Sequence, residues 1–190
     1  MRKLIAGMKI SLDAKTEGDE GIADWVDAWS EEYGLTDRVD ACVLGGAMYP
    51  GYEAYWTPFR TDPDQPNPVS GKLATPGEIE WTGFAAKTPH YVLSRSLTSA
   101  GWPKTSFLRS LDDLAALKEE PGKDIYLMGG ARVTSSIIEA GLLDELRLIV
   151  YPLIAGEGSQ LFSAVSRRGL ELRDVGKLSD GRVSLVYGIR

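Results

Sequence analysis

Apolar runs and amphipathic stretches alternate along this chain from end to end. Residues 4–12 form an apolar run that predicts a first strand. Residues 22–33 set Ile22, Val26 and Trp29 on one face and stop at Gly34, the pattern of an amphipathic helix. Residues 40–44 predict a second strand, and Gly45-Gly46 then opens a short helical stretch from 49 to 56. Six prolines fall between residues 57 and 89 with little apolar periodicity, which predicts a long surface excursion. A strand at 90–94, a short strand near Phe107 and a helix at 111–119 follow. Residues 124–141 run Ile125, Tyr126, Leu127 and Met128 into Gly129-Gly130 and directly into a helix carrying Val133, Ile137 and Ile138, stopped by Gly141. Strands at 145–153, 170–178 and 182–189 end the chain, the last two facing each other across Ser179-Asp180-Gly181 as a hairpin. The alternation predicts an α/β fold with a central, mainly parallel sheet and an antiparallel carboxy-terminal edge.

The strand–Gly-Gly–helix unit has the form of an anion site. Two missing side chains let backbone N–H groups at the helix start approach a phosphate, and the helix dipole favours negative charge there. A tight turn that binds nothing fits the same residues. Gly45-Gly46 repeats the arrangement earlier in the chain.

Length and charge narrow the alternatives. One domain spanning 1–190 suffices, and at that size well over half of the unfolded surface is buried. Lys plus Arg number 21 against 27 Asp plus Glu, a net charge of -6, which argues against nucleic acid or anionic membrane as a partner. Any phosphate must therefore be held locally. The single cysteine, Cys42, lies in an apolar run and reads as a buried structural thiol. His90 is the only histidine, so no metal site built on a histidine cluster is expected. Lys9 and Asp13 interrupt the amino-terminal apolar run too soon for a signal segment or membrane span, and a cytoplasmic protein is expected.

A family resemblance spans nearly the whole chain. It is carried by residues 121–132 (PGKDIYLMGGAR), 141–148 (GLLDELRL), and Tyr151-Pro152-Leu153-Ile154-Ala155-Gly156-Glu157-Gly158 with Leu161-Phe162. Upstream, and in the same order, come Ser11-Leu12-Asp13-Ala14, Leu44-Gly45 with Tyr49 and Tyr55-Trp56, and residues 89–97 (PHYVLSRSL). Together these resemble the dihydrofolate-reductase-like family, which includes the carboxy-terminal reductase domain of the bifunctional riboflavin-biosynthesis enzyme. The resemblance implies a three-layer sandwich with helices on both faces of the sheet. It also implies a reductase that binds NADPH and delivers hydride to a pterin- or pyrimidine-like ring, with a homodimer plausible from family habit.

Site residues follow from the same resemblance. The backbone of Ala6 is expected to bind the nicotinamide carboxamide. Gly45, Gly46 and Ala47 on one side, with Gly129, Gly130, Ala131, Arg132 and Val133 on the other, are expected to cradle the cofactor phosphates, with a cis peptide between Gly129 and Gly130. Ser94-Arg95-Ser96 follows a strand and offers a guanidinium between two hydroxyls, a set suited to the 2′-phosphate that distinguishes NADPH from NADH. Where the family has a basic residue and a threonine, this chain has Gly46-Ala47-Met48, leaving only backbone donors at Gly46 and Ala47. No Gly-x-Gly-x-x-Gly fingerprint follows the first strand.

Hydride transfer to a C=N bond needs a proton at nitrogen, for which Asp13 and Asp24 are the candidate carboxyls. Lys15 resembles the lysine that follows this motif in the riboflavin-pathway domain, where the substrate carries a ribose phosphate. Asp24 equally reads as a carboxylate favoured by a helix start, and Glu17, Asp19 and Glu20 read as a solvated loop. Trp25, Trp29, Tyr49, Tyr52, Tyr55 and Trp56 form an aromatic zone that either stacks on a flat ring or fills the core. Three functions stay open: a pterin or pyrimidine-like reductase, the ribosylamino-pyrimidine reductase of riboflavin synthesis, and a nucleotide- or flavin-binding module without turnover.

Overall fold

The computed structural model describes residues 1–19 and 21–190. Its centre is β1, Leu4–Ile10, in which all seven residues are buried. A strand can be apolar throughout only when both faces are covered. Leu4, Ala6, Met8 and Ile10 point to one face, and Ile5 points to the other. The second strand, β2 (Val39–Gly45), leads into α1 (Tyr49–Thr61), followed by α2 (Pro76–Ala85). Then come β3 (His90–Leu93), β4 (Thr105–Leu108), α3 (Leu111–Glu119), β5 (Asp124–Gly129) and α4 (Ala131–Glu139). The chain ends with β6 (Glu145–Val150), β7 (Leu170–Lys177) and β8 (Val183–Ile189). All eight strands form one sheet in the order β4-β3-β2-β5-β1-β6-β8-β7. The first six are parallel, while β8 pairs antiparallel with both β6 and β7.

Helices α3 and α4 cover one face through Leu114, Leu117, Ile137 and Ile138. The other face carries α1 and α2 over an aromatic core that includes Tyr49, Tyr52, Trp56, Phe59, Trp81 and Tyr126. The three-layer α/β sandwich expected from the sequence is thus present.

Two expectations fail. Residues 22–33 are not helical: apart from one turn, Val26 N–H to the Ala23 carbonyl, their backbone groups are held largely by side chains, several from other segments. The buried amine of Lys9 donates to the carbonyls of Ala28 (3.0 Å) and Ser30 (3.2 Å), and Glu78 accepts from the Trp29 N–H at 3.1 Å. Ala23 and Val26 do pack inward, against Ile149 and Tyr151, but Ile22 is left 61% exposed. Second, the proline-rich excursion contains α2. Thr75 and Glu78 cap that helix reciprocally with Pro76 in the first turn, a Thr-x-x-Glu signal legible in the sequence. The Glu20 part of the expected solvated loop lies outside the described residues. Among those described, no helix is long and apolar enough to cross a membrane.

Candidate active site

The sheet splits at its centre. Pairing of β1 with β5 stops at Ala6 opposite Leu127, whereas pairing of β1 with β6 continues to Ile10 opposite Val150. Successive peptide groups of a strand face alternate neighbours. The Ile125 N–H bonds the Lys3 carbonyl on the β5 side, and the N–H groups of Asp144 and Tyr151 bond the Leu4 and Ile10 carbonyls on the β6 side. Odd-numbered peptides therefore face β5, and beyond Ala6 they face the gap. The peptide group of Ala6 faces β6, and its methyl is fully buried in the core. The gap-facing peptide is thus that of Gly7, one residue on from Ala6. A side chain at Gly7 would stand 2.9 Å from the rings of Tyr126 and Tyr33, so only glycine lets both rings pack against this strand end.

A cleft of about 1450 Å³ starts at Gly7 and Met8 and runs along the carboxyl ends of β5, β2 and β3. Strands lie about 4.8 Å apart, so from β1 to β3 it spans roughly 14 Å. It brings together Gly45, Gly46, Ala47, Ser94, Arg95, Ser96, Gly129, Gly130, Ala131, Arg132 and Val133, every cofactor residue expected from the sequence except Ala6.

Their local geometry corrects several details. The Gly46 N–H is spent on the Leu93 carbonyl at 3.0 Å, so it is no phosphate donor. Gly46 instead provides closeness, since a Cβ there would stand 2.6 Å from Ser94. The Ser94 hydroxyl accepts from the Leu97 N–H (3.1 Å), and Arg109 donates to the Ser94 and Leu97 carbonyls (both 2.7 Å), which holds this loop in shape. Arg109 was not found from the sequence, because its partners come from a neighbouring strand end. Arg95 and Ser96 are exposed. At the other glycine pair the described chain has no cis peptide. Gly129 makes the turn with φ +120°, a conformation that favours glycine, and Gly130 precedes α4. The Thr134 N–H makes the first intrahelical bond, to the Gly130 carbonyl. The N–H groups at Ala131, Arg132 and Val133 thus form the dipole-positive start of α4. The Gly130 N–H points at the Met48 sulfur, 3.4 Å away.

The residues expected to be catalytic lie elsewhere. Asp13 accepts from the Ser11 hydroxyl (2.6 Å) and from the N–H groups of Ala155 (3.0 Å) and Gly156 (2.9 Å). These bonds hold its carboxyl at about 2, the wrong range for a proton donor, and make it a clamp between two loops. The Lys15 amine donates to the Gly158 carbonyl at 3.2 Å. Asp24 is exposed, and none of the three lines the cleft.

In their place the β1 end of the cleft carries Glu17, Glu31, Trp29, Tyr33, Tyr55, Trp56, Trp81 and Tyr126. One oxygen of Glu31 accepts from the N–H groups of Tyr33 (2.6 Å) and Leu35 (3.2 Å). Glu78, 2% exposed, accepts from Trp29, from the Tyr55 hydroxyl (2.6 Å) and from Thr75, tying the 22–34 segment to both helices of this face. Burial opposes its ionisation, yet these donors hold it below the ordinary carboxylate range. Lys9 lies beneath, its side chain 2% exposed, paired with Glu32 at 2.6 Å. Burial lowers its pKa, and Glu32 opposes the shift.

Known proteins are similar to this chain in sequence and in fold. The chain is 31% identical over 192 residues to the uncharacterized protein YyaP of Bacillus subtilis (strain 168), covering 98% of this chain and 94% of that one. Its fold is similar to that of a protein assigned to riboflavin biosynthesis in Shewanella sp. PV-4 (TM-score 0.70, 19% identity, 99% of each chain). It is similar also to dihydrofolate reductase from Enterococcus faecalis, solved with NADP(H) (TM-score 0.61, 14% identity, 99% of this chain and 96% of that one). The profile of the RibD C-terminal domain matches residues 2–185, and the chain belongs to that family.

Proposed function

We propose that this chain is an NADPH-dependent reductase of a flat, pterin- or pyrimidine-like heterocycle. The observation that carries the reading is the split between β1 and β5, which turns the Gly7 peptide toward a gap beside an aromatic wall within the same cleft as the Ser94–Ser96 and Gly129–Val133 corners. Gly7 and Gly46 set close packing at the two corners of the cleft, because a Cβ would meet the Tyr33 and Tyr126 rings at one and Ser94 at the other. When bound, NADPH supplies the hydride. The chain's own residues do the rest. Peptide groups of Gly7 face the gap where a carboxamide can bond them. Arg95 and Ser96 take the 2′-phosphate on a loop fixed by Arg109, and the start of α4 takes the diphosphate with Arg132 beside it. The Trp29, Tyr33 and Tyr126 rings exclude water and stack on the substrate. Glu31, rather than Asp13 or Asp24, is the carboxyl within reach of the substrate's nitrogens. A second reading, a binding module without turnover, is favoured by Met48, whose sulfur already occupies the Gly130 N–H.

Titration with NADPH and NADH, followed by tryptophan fluorescence, tests the proposal, since Trp29, Trp56 and Trp81 line the cleft. NADPH should bind at least ~10-fold more tightly, about 1.4 kcal/mol. Equal affinities would remove the 2′-phosphate role from Ser94-Arg95-Ser96. Tight NADPH binding with no oxidation by any heterocycle would favour the binding module.

A further inference from the structure

We infer that the substrate end of the cleft selects a heterocycle carrying no phosphate, neutral or cationic at the ring. The inference rests on the reductase reading only for its chemistry; the charge pattern stands by itself. Among the described residues lining the β1 end, the acidic side chains are Glu17 and Glu31 and the basic one is Lys9. Lys9 has no hydrogen left to offer a ligand. Its ammonium donates to Ala28, to Ser30 and to Glu32, and an ammonium has three hydrogens. Arg182, behind it, is spent on Glu32, Ser179 and the Tyr151 hydroxyl. Lys15, the residue that would have met a ribose phosphate, is turned to the Gly158 carbonyl and lies outside the lining.

The cations of the cleft sit at its other end. Arg95 follows β3 and Arg109 follows β4, three and four strands from β1, so roughly 14 Å or more along the sheet edge. Arg132 opens α4, which packs on the opposite face of the sheet from Trp81 and Tyr126. A phosphate monoester attached to a ring stacked at the β1 end would therefore face two carboxylates with no uncommitted cation beside them. Burying such a charge without a partner is costly, and like charge adds to the cost. Among the described residues, Glu31 keeps one oxygen uncommitted after accepting from Tyr33 and Leu35, and an uncommitted carboxylate oxygen attracts ring N–H donors or a protonated ring. One end of the cleft is thus built for phosphates and the other against them.

A matched pair of ligands tests this: 5-amino-6-ribitylaminouracil and its 5′-phosphate, titrated into the full chain with NADP⁺ in excess so that the cationic end is filled. Tryptophan fluorescence reads the affinities. The phosphate-free compound should bind at least ~10-fold more tightly. Glu17→Gln with Glu31→Gln should narrow the ratio to under ~3-fold by removing the repulsion. Equal or tighter binding of the phosphate ester overturns the inference, as does failure of both compounds to bind at ~1 mM. The cofactor reading fails separately, through the comparison of NADPH with NADH, and its failure leaves the ratio between these two ligands measurable.

Discussion

Lowering the pH from 7.5 to 5 should destabilise this protein through one side chain, His90. The imidazole is fully buried at the start of β3. Its Nδ1 lies 2.8 Å from the Thr88 carbonyl, which can only accept, so Nδ1 carries the proton. Nε2 is then the acceptor for the Tyr52 hydroxyl at 2.9 Å. The Tyr52 and Trp102 rings pack around it, with centroids at 5.5 and 5.9 Å. Burial pushes the imidazole down to about 4 from its ordinary 6.5, against the smaller upward pull of the Thr88 carbonyl. Between those two values the unfolded chain binds the proton and the folded chain does not, so stability is full above 6.5 and falls as pH drops toward 4. The two pKa values give a loss of about 2 kcal/mol at pH 5 and about 3 kcal/mol at pH 4. That is a large part of a typical 5–15 kcal/mol stability. Urea unfolding at pH 7.5 and 5 on the wild type and on His90→Asn isolates the effect, because carboxylate titrations common to both proteins cancel. The wild type should lose about 2 kcal/mol more than the variant. With a single histidine in the chain, its proton resonance titrates unambiguously. A midpoint near 6.5, or equal losses in the two proteins, would refute the reasoning.

Gly46→Ala places a methyl group 2.6 Å from Ser94 and should weaken NADPH binding at least ~10-fold with the far-ultraviolet spectrum unchanged; affinity within ~2-fold of wild type would show that Gly46 and Ser94 need not touch. Glu78→Ala strands four donors around a buried site and should cost about 2–3 kcal/mol in urea unfolding, and a loss below about 0.5 kcal/mol would mean that the 22–34 segment is held by something else. Asp13→Asn should lower the melting temperature without moving the pH profile of turnover. The Asp13 contribution is present above its ordinary 3.8 and lost only as pH falls toward about 2, so a shifted profile would return Asp13 to the chemistry. We also propose a homodimer: the edge strand β7 leaves Leu170, Leu172 and Val175 40–58% exposed, and light scattering should give twice the mass of one chain, a monomer mass being the contrary result.

Much of the fold was legible because local rules agree with the tertiary outcome. The buried strands read as mainly apolar runs, and β2, β5 and α4 meet at glycine pairs that the sequence displays openly. Residues 22–33 were misread because their apolar spacing is helical while their backbone partners are Lys9, Glu78 and Glu31 side chains. Two of those partners lie at the far end of β1 and across α2, which no window of local sequence samples. Thr75-x-x-Glu78 was a visible signal for α2 hidden among prolines. The corner of the cleft lined by post-strand Ser-Arg-Ser and Gly-Gly was legible in kind, since these are local features, but that the gap-facing peptide is Gly7 rather than Ala6 was not. The side of a strand that a peptide faces depends on which neighbours pair with it.

The alternating α/β layers, the two glycine junctions and the hydroxyl-arginine-hydroxyl strand end are products of short-range sterics and hydrophobic period, and so are written in local sequence. Which groups meet is set by long-range packing. It parted β1 from β5 beyond Ala6 and turned Asp13 and Lys15 onto the 155–158 loop. It also spent the charge of Lys9 on Glu32 and left Glu31 beside the aromatic wall. The reason is physical: a side chain's charge and hydrogen-bonding capacity are set by its partners, and these partners lie up to 143 residues away along the chain.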